Sequence, residues 1–153
     1  MAYNVIDIAK KIIKMADWDT ANGGEGMTNL KLQKLLYYEQ GYHLAAFDTP
    51  LFNEAVEAWM YGPVVPAVYD YYHKYGSQAL PVEDEVISLS EDEEELFAQV
   101  FETFRDFSAI GLMNKTHQEY PWASMTERGR GVEISKKSMK AFFKTQLVDD
   151  KEN

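Results

Sequence analysis

Met27-Thr-Asn-Leu-Lys-Leu-Gln-Lys-Leu-Leu-Tyr-Tyr-Glu-Gln-Gly-Tyr-His-Leu-Ala45 reads as one helix around which the rest of the chain is organised. Thr28 is an N-cap, a residue whose side-chain oxygen accepts from a first-turn amide, and the apolar residues behind it recur at helical spacing. Leu32, Leu35, Leu36, Tyr38, Tyr42 and Ala46 fall largely on one side, with Lys31, Lys34 and Gln40 elsewhere. One buried stripe and one polar flank are therefore expected. The helix is expected to end near Phe47, because Asp48-Thr-Pro50 forces the residue before the proline out of helical geometry.

Working outward, Val5, Ile8, Ala9, Ile12, Ile13 and Ala16 trace a first amphipathic helix capped by Asn4, with Asp7 and Lys14 suited to its two dipole ends. The glycines of Asn22-Gly-Gly-Glu-Gly26 predict a loop. Ala55 to Tyr61 fits a strand or an extended arm, and Gly62-Pro63-Val-Val-Pro66 a rigid entry to a helix starting at Pro66. Val68, Tyr72 and Tyr75 would give that helix its packed side, and Gly76 a C-cap. Ser90-Glu-Asp-Glu93 spells a capping box, followed by the stripe Leu96, Phe97, Val100, Phe101, Phe104 and Phe107. Gly111 to Gln118 is a short helix or turn, Pro121 opens another, and Val132 with Ile134 make a brief strand. Ser135 then caps a last helix carrying Met139, Phe142, Phe143 and Leu147. The expected fold class is mainly α: a single helical domain over 1–147 with a small β-strand or hairpin element, and a frayed tail at 148–153.

The length, 153 residues, suits one domain with one core. There are no cysteines, which excludes disulfides and thiolate metal sites. No apolar run approaches the ~20 residues of a bilayer span, and the N-terminus lacks a secretory pattern, so a cytoplasmic location and no membrane partner are expected. A formal charge of −10 argues against a nucleic-acid partner held by phosphate contacts. It favours a basic partner or none that is charged, although acidity also serves solubility alone.

No constellation for catalysis, cofactor or metal stands out. His43, His73 and His117 lie in no His-Glu-x-x-His or paired-ligand spacing, and there is no Gly-x-Ser-x-Gly elbow. The glycines at 23–26 lack the Lys-Ser/Thr of a phosphate loop, and Gly129-Arg-Gly131 is a turn with a cation. Glu39 and His43 stand i, i+4 and can pair locally. The acids between Glu83 and Glu95 suit either a basic partner or, better, helix capping. Trp59, Tyr61, Tyr69, Tyr71, Tyr72, Tyr75, Tyr120 and Trp122 are not all required by the core, and Tyr and Trp are enriched in interfaces by virtue of area plus a polar tip, although core packing is the commoner role for any one of them.

Five segments then occur in order: Lys31 to Ala45, Phe52-x-Glu54, Glu57-Ala-Trp-Met-Tyr-Gly-Pro-Val64, Leu112 to His117, and Pro121-Trp122. Together they resemble the Panacea domain, also described as SocA-like or GepA-like. The residues that carry the resemblance are Lys31, Leu32, Gln33, Lys34, Leu35, Tyr37, Gln40, Glu57, Trp59, Tyr61, Gly62, Pro63, Val64, His117, Pro121 and Trp122. The resemblance implies an antitoxin, associated with bacterial or phage toxin modules, that neutralises a toxin by direct protein contact. It implies no catalytic residue and no cofactor. Some antitoxins carry a helix-turn-helix segment for operon repression; none is recognised here, so that activity is not expected.

The leading expectation is thus a non-enzymatic antitoxin masking a toxin surface with an aromatic and acidic face made of Trp59, Tyr61, Tyr69, Tyr72, Glu91 and Glu94. One alternative is an adaptor that delivers the toxin to a cytosolic protease. The other is a hydrolase using His117 with Glu119, or His43 with Glu39.

Overall fold

A computed structural model describes residues 2–21, 26–125 and 131–152. In chain order the elements are α1 (Val5–Ala21), α2 (Asn29–Phe47), β1 (Val56–Trp59), β2 (Gly62–Val64), α3 (Pro66–Tyr72) with a 3₁₀ turn at His73–Tyr75, α4 (Glu91–Phe104), α5 (Ala109–His117), α6 (Tyr120–Ala123), β3 (Val132–Ile134) and α7 (Lys136–Glu152). The chain is mainly helical with one small antiparallel sheet of order β2-β1-β3. The glycine loop expected over 22–26 and the turn at 129–131 lie for the most part outside the described residues.

Local signals set most boundaries. The Asn4 side chain accepts from the Ile6 amide at 2.8 Å and Thr28 from the Lys31 amide at 3.3 Å. Ser90 and Glu93 form both halves of the capping box. Asp48 ends α2 in the left-handed region, φ 62°, with its amide returned to the Leu44 carbonyl. Gly62-Pro63-Val64, expected as a rigid entry, is strand β2, paired to β1 with Glu57 opposite Val64 and Trp59 opposite Gly62. Gly62 makes the tight reversal possible because its φ is +107°, a value that glycine alone adopts freely.

Helix α2 is not the one-sided helix expected. It packs against α1, α3, α4, α5, α7 and β2, and is buried almost all round. Lys34 and Gln40, expected on a polar flank, are fully buried, while Ala46, expected on the packed side, is exposed. The reason is geometric: a helix surrounded by neighbours has no solvent face, so its polar positions must be satisfied internally. Gln33 accepts from the Val65 amide at 2.8 Å and donates to Asn29, itself bonded to the Tyr69 carbonyl. Gln40 donates to the Phe52 carbonyl at 2.7 Å and accepts from the Leu51 amide at 2.8 Å. Lys31 donates to the Arg105 carbonyl at 2.6 Å. These polar side chains clamp the loops around α2.

Aromatic contacts fill the core on the α4 and α7 sides. Tyr38 stacks on Phe104 at 4.0 Å between centroids, and Phe143 meets Tyr37 edge-on at 5.3 Å. Gly41 lets α7 approach, since a Cβ there would lie 2.2 Å from the Phe143 ring. Phe107, expected in the α4 stripe, falls beyond the helix end and is partly exposed, resting on Phe104.

Candidate functional site

Lys34, Gly62, Pro63, His117 and Trp122 of the resemblance come together where β2 and α5 meet α2, with α6 packed on α5. Two anchors set this corner. Glu119, between α5 and α6, accepts from Tyr37 at 3.1 Å and Tyr38 at 3.2 Å, with Lys115 at 3.5 Å. Trp122 donates from its indole to the Trp59 carbonyl at 2.7 Å, tying α6 to β1. Trp59 in turn donates to Glu57 at 3.0 Å, and Pro121 is buried near the start of α6. The His117 ring stacks on Trp122 at 3.9 Å and hydrogen-bonds the Met60 backbone.

Lys34 projects into this corner. Its side chain is 0 % exposed, and its Nζ has no hydrogen-bond partner among the described residues. His117 Nε2 is likewise buried and unpartnered. Burial pushes the Lys34 ammonium down to about 7, because a low-dielectric surrounding disfavours its charge. Burial also lowers His117, opposed by the Met60 bond and assisted by the Lys34 charge. Gly62 sits directly over Lys34: a Cβ there would lie 2.8 Å from Lys34 Cε and 3.0 Å from Thr116 Oγ1.

The remaining resemblance residues have structural places. Leu32, Leu35, Tyr37 and Val64 are core, Gln33 and Gln40 are clamps, and Lys31 holds the end of α4. Around the corner three apolar side chains are exposed, Met60 at 61 %, Tyr61 at 59 % and Tyr120 at 62 %. Trp59 and Tyr69 lie half-buried behind them, in edge contact at 5.0 Å. Tyr120 is among the aromatics that are not all required by the core, whereas nothing in the sequence marks Met60 as exposed; its place follows from the β1–β2 turn.

The aromatic and acidic face expected from sequence is not one face. Tyr72 is a core residue, 3 % exposed. Glu91 and Glu94 lie on the first turn of α4, against the far end of α2, where Glu93 bonds His43. Lys34 and His43 are roughly 13 Å apart along the helix axis at ~1.5 Å per residue. Glu94 is engaged by Lys11 at 2.8 Å and Glu83 by Lys10 at 3.2 Å, so these acids serve the domain's own packing.

Neither catalytic pair expected from sequence forms. Glu119 is committed to Tyr37, Tyr38 and Lys115 instead of His117. His43 bonds Glu93 at 2.6 Å and the Thr49 carbonyl at 2.6 Å instead of Glu39, whose carboxyl burial pushes well above its ordinary range. Among the described residues no group of His, Asp and Glu is placed to hold a metal ion, and no helix is long and apolar enough to cross a membrane.

Against known proteins, the family described as Antitoxin SocA-like, Panacea domain, matches residues 32–123, a span that holds α2 from Leu32, the β1–β2 hairpin and the α5–α6 corner. The chain is 31 % identical over 140 residues to the antitoxin SocA of Caulobacter vibrioides (strain NA1000 / CB15N), covering 80 % of this chain and 74 % of that protein. No solved structure matches it. With a family match over more than half of its length and a relative aligned over most of it, the chain belongs to the SocA-like, Panacea-domain antitoxin family.

Proposed function

We propose that this chain neutralises a cognate toxin by direct binding, without catalysis, and that the β1–β2 turn with the α5–α6 corner is the surface it uses. The observation that carries the reading is the similarity to antitoxin SocA over most of the chain. The geometry supports the location. Met60, Tyr61 and Tyr120 present exposed apolar area, and Trp59 and Tyr69 back them. Aromatic groups of this kind, desolvated on docking, carry a large share of binding energy in protein interfaces. The two anchors from Glu119 and Trp122 hold the surface in place before binding, which reduces the ordering cost. The formal charge of −10 steers a basic toxin toward the chain.

Coexpression with the product of the neighbouring gene tests the reading. Growth rescue together with a co-purifying complex is the expected result; a neighbour that is harmless, or toxic and unaffected, overturns it. Toxin half-life in the same cells separates masking, where it is equal or longer, from delivery to a cytosolic protease, where it shortens.

A further inference from the structure

We infer that Lys34 and His117, walled by Thr116 beneath the β1–β2 turn, form a recognition site for a single carboxylate. Three observations converge on it. First, Lys34 Nζ and His117 Nε2 are buried and have no partner among the described residues. The other resemblance side chains that donate or accept from α2, namely Lys31, Gln33, Tyr37 and Gln40, all meet partners. A buried amine left without an acceptor costs free energy that an apolar residue of the same length would not, so packing alone does not account for a lysine here. Second, the two groups lie near each other: a Cβ on Gly62 would stand 2.8 Å from Lys34 Cε and 3.0 Å from the Oγ1 of Thr116, the residue before His117, and the Lys34 charge acts on the His117 ring. Third, the approach is framed by the exposed Met60, Tyr61 and Tyr120.

The chemistry selects the ligand. An ammonium and an imidazole need one acceptor group with two oxygens. With the other ring nitrogen donating to the Met60 carbonyl, Nε2 carries a proton in the imidazolium form, which an incoming carboxylate favours; His117 then donates to one oxygen and Lys34 to the other. A phosphate would bring more acceptor atoms and more charge than two donors satisfy; the Thr116 hydroxyl is already donated to the Met113 carbonyl at 2.7 Å, and no described arginine stands here. Because Lys34 is closed off, the carboxylate reaches it by displacing the Met60–Tyr61 turn beside the half-buried His117 ring. The carboxylate comes either from an acidic side chain or chain end of the bound toxin, which rests on the proposed antitoxin role, or from a free small acid, which does not.

The test is NMR of the isotopically labelled full chain near neutral pH, following the Lys34 side-chain and His117 ring signals. Sodium acetate is titrated against sodium chloride at matched ionic strength, and the toxin is added in a separate arm. Saturable shifts of both residues with acetate, absent with chloride and lost in Lys34→Met, establish the site with a free acid as a sufficient ligand. If acetate is silent, the same two signals moving on toxin addition, with toxin affinity falling roughly tenfold or more in Lys34→Met, assigns the carboxylate to the toxin. Thermal melts keep the variant interpretable: Lys34→Met is expected to be at least as stable as wild type. Signals that move in neither arm, or shifts of His117 that persist in Lys34→Met, overturn the site. Acetate binding in a chain that captures no toxin leaves the site standing and removes the antitoxin reading.

Discussion

At the His43 end of α2, His43, Glu93, Tyr3 and Ser90 form a closed set of hydrogen bonds, whereas at the Lys34 end two nitrogens face no partner. His43 has an oxygen 2.6 Å from each ring nitrogen, one from Glu93 and one from the Thr49 carbonyl. Glu93 also accepts from Tyr3 at 2.5 Å and from the Ser90 amide. This network joins the N-terminal segment, α2 and α4, and closes its own donors and acceptors. The Lys34 end makes the opposite arrangement inside the same helix. What the contrast teaches is that burial of charge in this fold is not uniformly structural: one end holds the domain together, and the other is held by the domain.

The largest expected effect tests the first half of that statement. Burial opposes ionisation of Glu93, but the hydrogen bonds from Tyr3, His43 and Ser90 prevail and bring its carboxyl down to about 2 from an ordinary 4.5. A depressed folded-state value means that the carboxylate's contribution is complete above the ordinary value and is lost as pH falls from about 4.5 toward 2. At ~1.4 kcal/mol per unit the contribution at neutral pH has an upper bound of roughly 3 kcal/mol, and solvent screening at this partly open site brings it to about 2 kcal/mol. Glu93→Gln should therefore lower urea-unfolding stability by about that amount at neutral pH and flatten the acid limb of the stability profile. A variant with the wild-type acid limb would show that the network does not hold this end.

Next in size, Gln40→Met and Lys34→Met should move stability in opposite directions although both replace a buried polar side chain on one helix by the same apolar one. Gln40→Met strands the Leu51 amide and the Phe52 carbonyl, and about 2 kcal/mol is lost. Lys34→Met removes an unpartnered amine and keeps its length, so stability rises by about 1 kcal/mol. Thermal or urea unfolding of the two variants decides it. Loss of the same size in both would erase the distinction between the ends.

Much of the fold was legible because its signals are local. Thr28, Ser90 with Glu93, Pro66 and Ser135 each mark a boundary through a bond or a clash within a few residues. The burial of Lys34 and Gln40 was not, because a periodicity argument assigns one face to the core and cannot tell that neighbours surround a helix on all sides. The partner of His43 was misread for a related reason: Glu39 is near in sequence, while Glu93 stands 50 positions away and arrives through tertiary packing. For the candidate site, the sequence named Lys34, Gly62, His117 and Trp122 through family resemblance. It could not show that Lys34 and His117 lack partners, since that is a property of everything packed around them. The composite face failed for the converse reason, because Glu91 and Trp59 belong to opposite ends of α2.

The smallest expected change in stability carries the largest expected change in function. The side chains of Tyr61 and Tyr120 are more exposed than buried, make no hydrogen bond among the described residues, and contribute little to the core. Tyr61→Ala and Tyr120→Ala should each stay within about 0.5 kcal/mol of wild type in urea unfolding, as substitutions away from packed or bonded features do. If the corner is the docking surface, the same variants lose about 2 kcal/mol of toxin affinity each, the cost of truncating an aromatic anchor that is desolvated in a complex. Glu91→Gln, at the far end, is the matched control: it too is exposed and should alter neither quantity by more than a few tenths. Binding measured by calorimetry beside unfolding measured in urea separates the two ends of α2. An affinity loss confined to Glu91→Gln would move the docking surface to the α4 end and leave Lys34 without the role its isolation suggests.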